Sequence, residues 1–124
     1  MKIIPILGTV VLLGAIVQVA LGFQIVAGMD ALRGVHVLIG IVGLFFVLGL
    51  AVVALRAKAA SVYSRITMIV LLILVLIQVG LGMQLLGGSD ALGVVHEANG
   101  ILIVVLSLVT GGLTMQHARH QKIM

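Results

Sequence analysis

The chain has no cysteine, no tryptophan, one proline and one tyrosine among its 124 residues. Without cysteine it forms no disulfide, holds no metal through thiolates and has no sulfur nucleophile. So few aromatic side chains leave no interfacial Trp/Tyr belt and little from which to build a quinone pocket of stacked rings. Charge is scarce too: 8% of residues are Asp, Glu, Lys or Arg against 63% hydrophobic, and the mean hydropathy is +1.45. A soluble domain of this length needs far more polar surface, so the composition predicts a membrane protein.

What the chain does have is long apolar runs. Crossing a bilayer takes about 20 residues, and four stretches are long enough, roughly Ile3–Ala27, Ala31–Leu55, Ile66–Gly87 and Ala91–Met115. They use nearly the whole chain, so residues 1–124 form one transmembrane domain with no soluble domain beside it. The first run follows Lys2 and looks like a secretory signal. It is too long for a typical signal core and its second half recurs later, so it is expected to stay in the mature protein.

The net charge of +4 and the isoelectric point near 10.4 would suit a nucleic-acid partner, but the charges are in the wrong places. Lys2, then Arg56, Lys58 and Arg65, then Arg119 and Lys122 fall at the N-terminus, the middle linker and the C-terminus. The positive-inside rule makes those segments cytoplasmic and turns residues 28–30 and 88–90 outward. The expected location is a cell membrane crossed four times, with both termini cytoplasmic.

Residues 18–41 recur at 78–101. At a constant offset of 60, about 13 of 24 positions are identical, among them Gln18/Gln78, Gly22/Gly82, Gln24/Gln84, Gly28/Gly88, Asp30/Asp90, His36/His96 and Gly40/Gly100. Chance identity in apolar sequence falls on Leu and Val, whereas here it falls on polar residues and glycines. The fold expected is all-α, an up-down-up-down bundle of four transmembrane helices built from two tandem helical hairpins, about 3–56 and 64–116.

Along each hairpin the polar residues have definite places. Pro5 sits in the first turn of the first helix, where a missing N–H costs little. Gln18 and Gly22 share a helical face, and Gln18 and Gln24 are expected to point into the bundle, since an amide in hydrocarbon is unfavourable. Asp30 and Asp90 are natural N-caps for the second and fourth helices. His36 lies a little further on, near the outer boundary, with Gly40 and Gly43 one and two turns deeper, a stripe with room for something flat. The linker to about Arg65 separates the repeats. In the second repeat Glu97 and Asn99 replace Val37 and Ile39, and a carboxyl inside a span makes Glu97 a candidate catalytic residue, although near the interface it can also reach headgroup water. His117 and His120 are expected beyond the last helix, in cytoplasmic solvent.

A single histidine in a membrane helix is commonly a hydrogen-bonded packing residue. Two at one depth are different. In a four-helix bundle with short turns the second and fourth helices are diagonal, with axes roughly 11–14 Å apart. That spacing suits two imidazoles with a metal between them and is expected to be too wide for direct contact. Zinc asks for three or four protein ligands, and copper for Cys or Met nearby. A haem brings four nitrogens and asks for one or two axial ligands. The expectation is one haem b held by His36 and His96, with Gly22, Gly82, Gly40 and Gly100 giving it space, Gln18 and Gln78 beside it, and Arg33 as a counter-charge for propionates.

The pattern Gln18-Val-Ala-Leu-Gly22 with His36-Val-Leu-Ile-Gly40, repeated as Gln78-Val-Gly-Leu-Gly82 with His96-Glu-Ala-Asn-Gly100, resembles one half of the haem A synthase family (CtaA/COX15). That resemblance covers nearly the whole chain and implies that His36 and His96 stand at haem-ligand positions on the outer side of the membrane. Three departures qualify it: Arg33 stands where the catalytic half of the family has a glutamate, the outer-loop cysteine pair is missing, and Glu97 does not match the motif. The chain therefore looks more like a cofactor-holding half. Three functions are open to it: an electron-passing b-type cytochrome serving a membrane redox partner or respiratory complex, a compact haem A synthase-like enzyme assembled as a homo-oligomer, or a haem-free accessory subunit.

Overall fold

Four helices carry the chain: α1 (Ile3–Val26), α2 (Arg33–Arg56), α3 (Val62–Leu86) and α4 (Gly93–His120). They are seen in a computed structural model that describes the backbone of residues 3–57 and 61–120 and side chains as far as residue 113. Lys2, Lys58 and Lys122 lie outside the described residues, as do the side chains of His117, Arg119 and His120. The described residues contain no strand.

Each hairpin turn is made by a glycine. Gly28 and Gly88 have φ of 102° and 91°, a left-handed conformation that costs side-chain-bearing residues dearly. Around Gly28, Met29 N–H donates to Gln24 O at 3.0 Å and Gly28 N–H to Ile25 O at 2.9 Å. The same pair recurs from Ser89 to Gln84 O at 3.1 Å and from Gly88 to Leu85 O at 3.0 Å. These are Schellman closures, which satisfy the last carbonyls of α1 and α3.

Just past each turn the chain departs from expectation. Asp30–Leu32 and Asp90–Leu92 are single 3-10 turns, so α2 and α4 begin at Arg33 and Gly93. Neither Asp30 nor Asp90 caps a helix with its side chain; the capping positions are Met29 and Ser89, and neither makes a side-chain bond. The backbone has taken over that task, with Leu32 N–H on Met29 O and Leu92 N–H on Ser89 O, both 3.0 Å. At the linker, Ser61 is the N-cap, its Oγ accepting from Ser64 N–H at 3.1 Å. That cap starts α3 four residues before Ile66 and shortens the linker. α4 runs to His120, so His117 and His120 belong to the helix backbone and not to a tail beyond it.

The helices pack in a ring, α1 against α2 and α4, and α3 against α2 and α4, while the pairs α1/α3 and α2/α4 make no close backbone contact among the described residues. The buried core, including Val11, Leu50, Ala54, Met68, Leu71 and Ile103, lies wholly in the half nearer the linker. No residue from 12 to 46 or from 76 to 99 is fully buried. The bundle is tight at the linker end and looser at the turn end.

The surface is inverted relative to a water-soluble domain. Leu13, Phe45 and Leu76 are 58%, 67% and 53% exposed, while Ser64, Ser107 and Thr110 are buried. All four helices are long and apolar enough to cross a membrane.

Candidate functional site

His36 and His96 are each the fourth residue of their helices, on the diagonal pair α2 and α4. Each comes after a Schellman turn and a 3-10 turn of the same length, which sets both rings at one level. The ring centroids are 6.0 Å apart and the planes meet at 62°, an edge-to-face contact. Diagonal axes alone predicted a gap too wide for contact. Both side chains reach inward, and that closes it.

The glutamines one helix back hold the two histidines differently. Gln18 Nε2 donates to the backbone carbonyl of His36 at 2.9 Å, leaving its own Oε1 buried without a partner. Gln78 Nε2 donates to the ring nitrogen Nε2 of His96 at 3.2 Å. Its Oε1 accepts from Asn99 Nδ2 at 2.7 Å, and the same amide of Asn99 donates to Leu74 O at 3.0 Å. Because Leu74 O can only accept, Asn99 must face it with its NH₂. That makes Gln78 present its oxygen to Asn99 and its nitrogen to His96. Ile39 stands at the place of Asn99 in the first hairpin and has no donor to give, so Gln18 Oε1 stays unpaired.

The glycines explain how these side chains fit. A Cβ on Gly40 would come within 2.6 Å of Gln18 Nε2, and one on Gly100 within 3.2 Å of Gln78 Nε2. A Cβ on Gly82 would meet His96 Cε1 at 3.3 Å, and one on Gly22 would meet His36 Cε1 at 3.8 Å. The glycine face thus seats glutamine and histidine from the neighbouring helix. Gly43 has no such neighbour within 4 Å.

Other sequence candidates lie apart. Gln24 and Gln84 are exposed and contribute their carbonyls to the turns, so Gln24 does not point into the bundle as expected. Arg33 is half exposed and donates to Asp30 Oδ1 at 2.7 Å, an i,i+3 pair. Glu97 is half-buried beside His96 and forms no salt bridge among the described residues. Asn99 was visible in the sequence only as a departure from the repeat. An amide three residues after His96 on an apolar helix is the signal that marks it.

Chemically, the pair offers a metal two imidazoles. At 6.0 Å between ring centroids, both imidazoles are close enough to reach one metal ion. The Nδ1 atoms of both rings are buried without a side-chain partner, and no side chain bonds either ring nitrogen of His36 among the described residues. No group of three or more His, Cys, Asp or Glu able to hold a metal assembles among the described residues. Two imidazoles alone do not complete the three or four protein ligands that a zinc site asks for. No protein-family model, curated protein or solved structure matches the chain.

Proposed function

We propose that the protein is a small integral-membrane b-type cytochrome whose haem iron is held by His36 and His96 and which passes single electrons to or from a membrane partner. The observation that carries this reading is the meeting of the two histidines at 6.0 Å in the loosely packed half of the bundle. When bound, the haem would supply the redox couple. The chain's own residues supply two neutral ligands, an apolar surround and polar seats for the rings. With both histidines bound in the resting state the iron would have no open site for oxygen chemistry, which favours electron transfer over catalysis. The haem A synthase-like fold, built of two tandem hairpin repeats, belongs to the same proposal. Arg33 in place of the family's catalytic glutamate, already paired with Asp30, speaks against the oxidising role.

The membrane setting is supported by the four apolar helices and the outward-facing Leu and Phe side chains. Arg56 and Arg65 at the linker end would make that end cytoplasmic under the positive-inside rule, with the start of α1 at the same end and the histidines toward the outer face.

A reduced-minus-oxidised spectrum of the purified protein tests the reading. A low-spin b-haem signal, lost in the His36→Ala/His96→Ala double variant, supports it. A second reading has an observation of its own: the edge-to-face contact and the bond from Gln78 can hold these rings as interhelical packing in a haem-free accessory subunit. Colourless, folded protein from haem-replete cells would select that reading.

A further inference from the structure

The two histidines are not equivalent. A neutral imidazole has one nitrogen lone pair to offer, and the other nitrogen carries the proton. In His96 that lone pair is at Nε2 and accepts from Gln78, whose orientation is fixed by Asn99 and, behind it, by Leu74 O. In His36 no side chain bonds a ring nitrogen among the described residues, because the Gln18 amide is turned to the His36 backbone carbonyl instead. A metal at His36 meets an unoccupied lone pair. At His96 it must displace the Gln78 amide.

Resting on the haem reading above, we infer that His96 is an exchangeable axial ligand with Gln78 as its alternative partner, so that the α4 side of the site opens to small neutral molecules that bind ferrous iron. In the exchange His96 gives up one dative bond and accepts one N–H···N hydrogen bond. The incoming molecule donates its own lone pair in the vacated position. Nδ1 of His96 keeps its proton throughout, and no electron is gained or lost. Asn99 acts as a positioning residue: it touches Gln78 and not the reacting centre. His36 is the permanent ligand.

Carbon monoxide titration of the reduced, haem-loaded protein tests this, with Asn99→Ile restoring the residue that the first hairpin uses. The wild type is expected to bind carbon monoxide, and Asn99→Ile about tenfold more weakly, the effect of losing one hydrogen bond that competes for His96. His96→Ala is expected to keep its haem in a high-spin, open form, whereas His36→Ala loses it. A second readout needs no haem: ring nitrogen NMR of the cofactor-free protein is expected to show His96 protonated at Nδ1, with the preference weakened in Asn99→Ile and His36 unchanged. Carbon monoxide refused by the wild type, equal affinity in Asn99→Ile, haem loss in His96→Ala but not His36→Ala, or His96 protonated at Nε2 would each overturn the inference. Those results with haem present leave the cytochrome reading standing. A wild-type protein without haem removes that reading and this one together.

Discussion

Asn99 donates to Gln78 Oε1 at 2.7 Å, and the matching glutamine in the first hairpin, Gln18, leaves its Oε1 buried and unpaired because Ile39 stands where a donor would be. Ile39→Asn is therefore expected to raise stability by about 1 kcal/mol, the net value of one added hydrogen bond. Asn99→Ile is expected to lower it by about 1–3 kcal/mol, since it strands a buried acceptor. Thermal unfolding in detergent compares both with the wild type. Equal melting temperatures would count against the asymmetry.

Gly40→Ala places a methyl within 2.6 Å of Gln18 Nε2 and must push the amide off the His36 carbonyl. A loss of about 1–3 kcal/mol is expected. Gly43→Ala meets nothing within 4 Å and is expected to be neutral or slightly stabilising, since alanine is the better helix former. The contrast between two glycines one turn apart is readable in the same melting experiment.

Much of this arrangement was legible in the sequence, for a physical reason: the repeat kept the residues that geometry cannot replace. Gly28 and Gly88 recur because the turn needs a positive φ, and Gly40 and Gly100 because a glutamine amide lies where their Cβ would be. The histidines recur at the same helical position, so their common level could be read from the sequence, but their direct contact at 6.0 Å could not. The rest depended on competition between local options that a pattern does not rank. Asp30 had a backbone capping role open to it, but the 3-10 turn met those donors and left the carboxylate for Arg33. Gln18 and Gln24 looked alike, yet only one faces inward, because they are six residues apart and fall on different faces of α1. Asn99 read as divergence until its partners Leu74 and Gln78 were seen.

Substitution at the turns gives a separate check. Gly28→Ala and Gly88→Ala are each expected to cost about 1–2 kcal/mol, because φ values of 102° and 91° strain any side chain. Melting measurements on the single and double variants should give additive losses, the two turns being far enough apart to act independently.

Ser107 is 4% exposed, and its hydroxyl has no hydrogen-bond partner in the tight half of the bundle, beside a small cavity of about 10 Å³ that Leu71 and Thr110 also line. Ser107→Ala is expected to be neutral or to stabilise by up to about 1 kcal/mol, because an unpaired buried hydroxyl is removed. Leu71→Ala, from the same lining, is expected to cost about 2–5 kcal/mol through the cavity it leaves. A large loss in Ser107→Ala would mean that the hydroxyl has a partner.

The convergence of His36 and His96 on one iron is tested most directly by the redox difference spectrum of the purified protein with a haem count per chain. One low-spin b haem per chain, absent from the His36→Ala/His96→Ala double variant, is the predicted result. Folded wild-type protein that carries no haem when made in haem-replete cells, or a double variant that keeps the same spectrum, would contradict it.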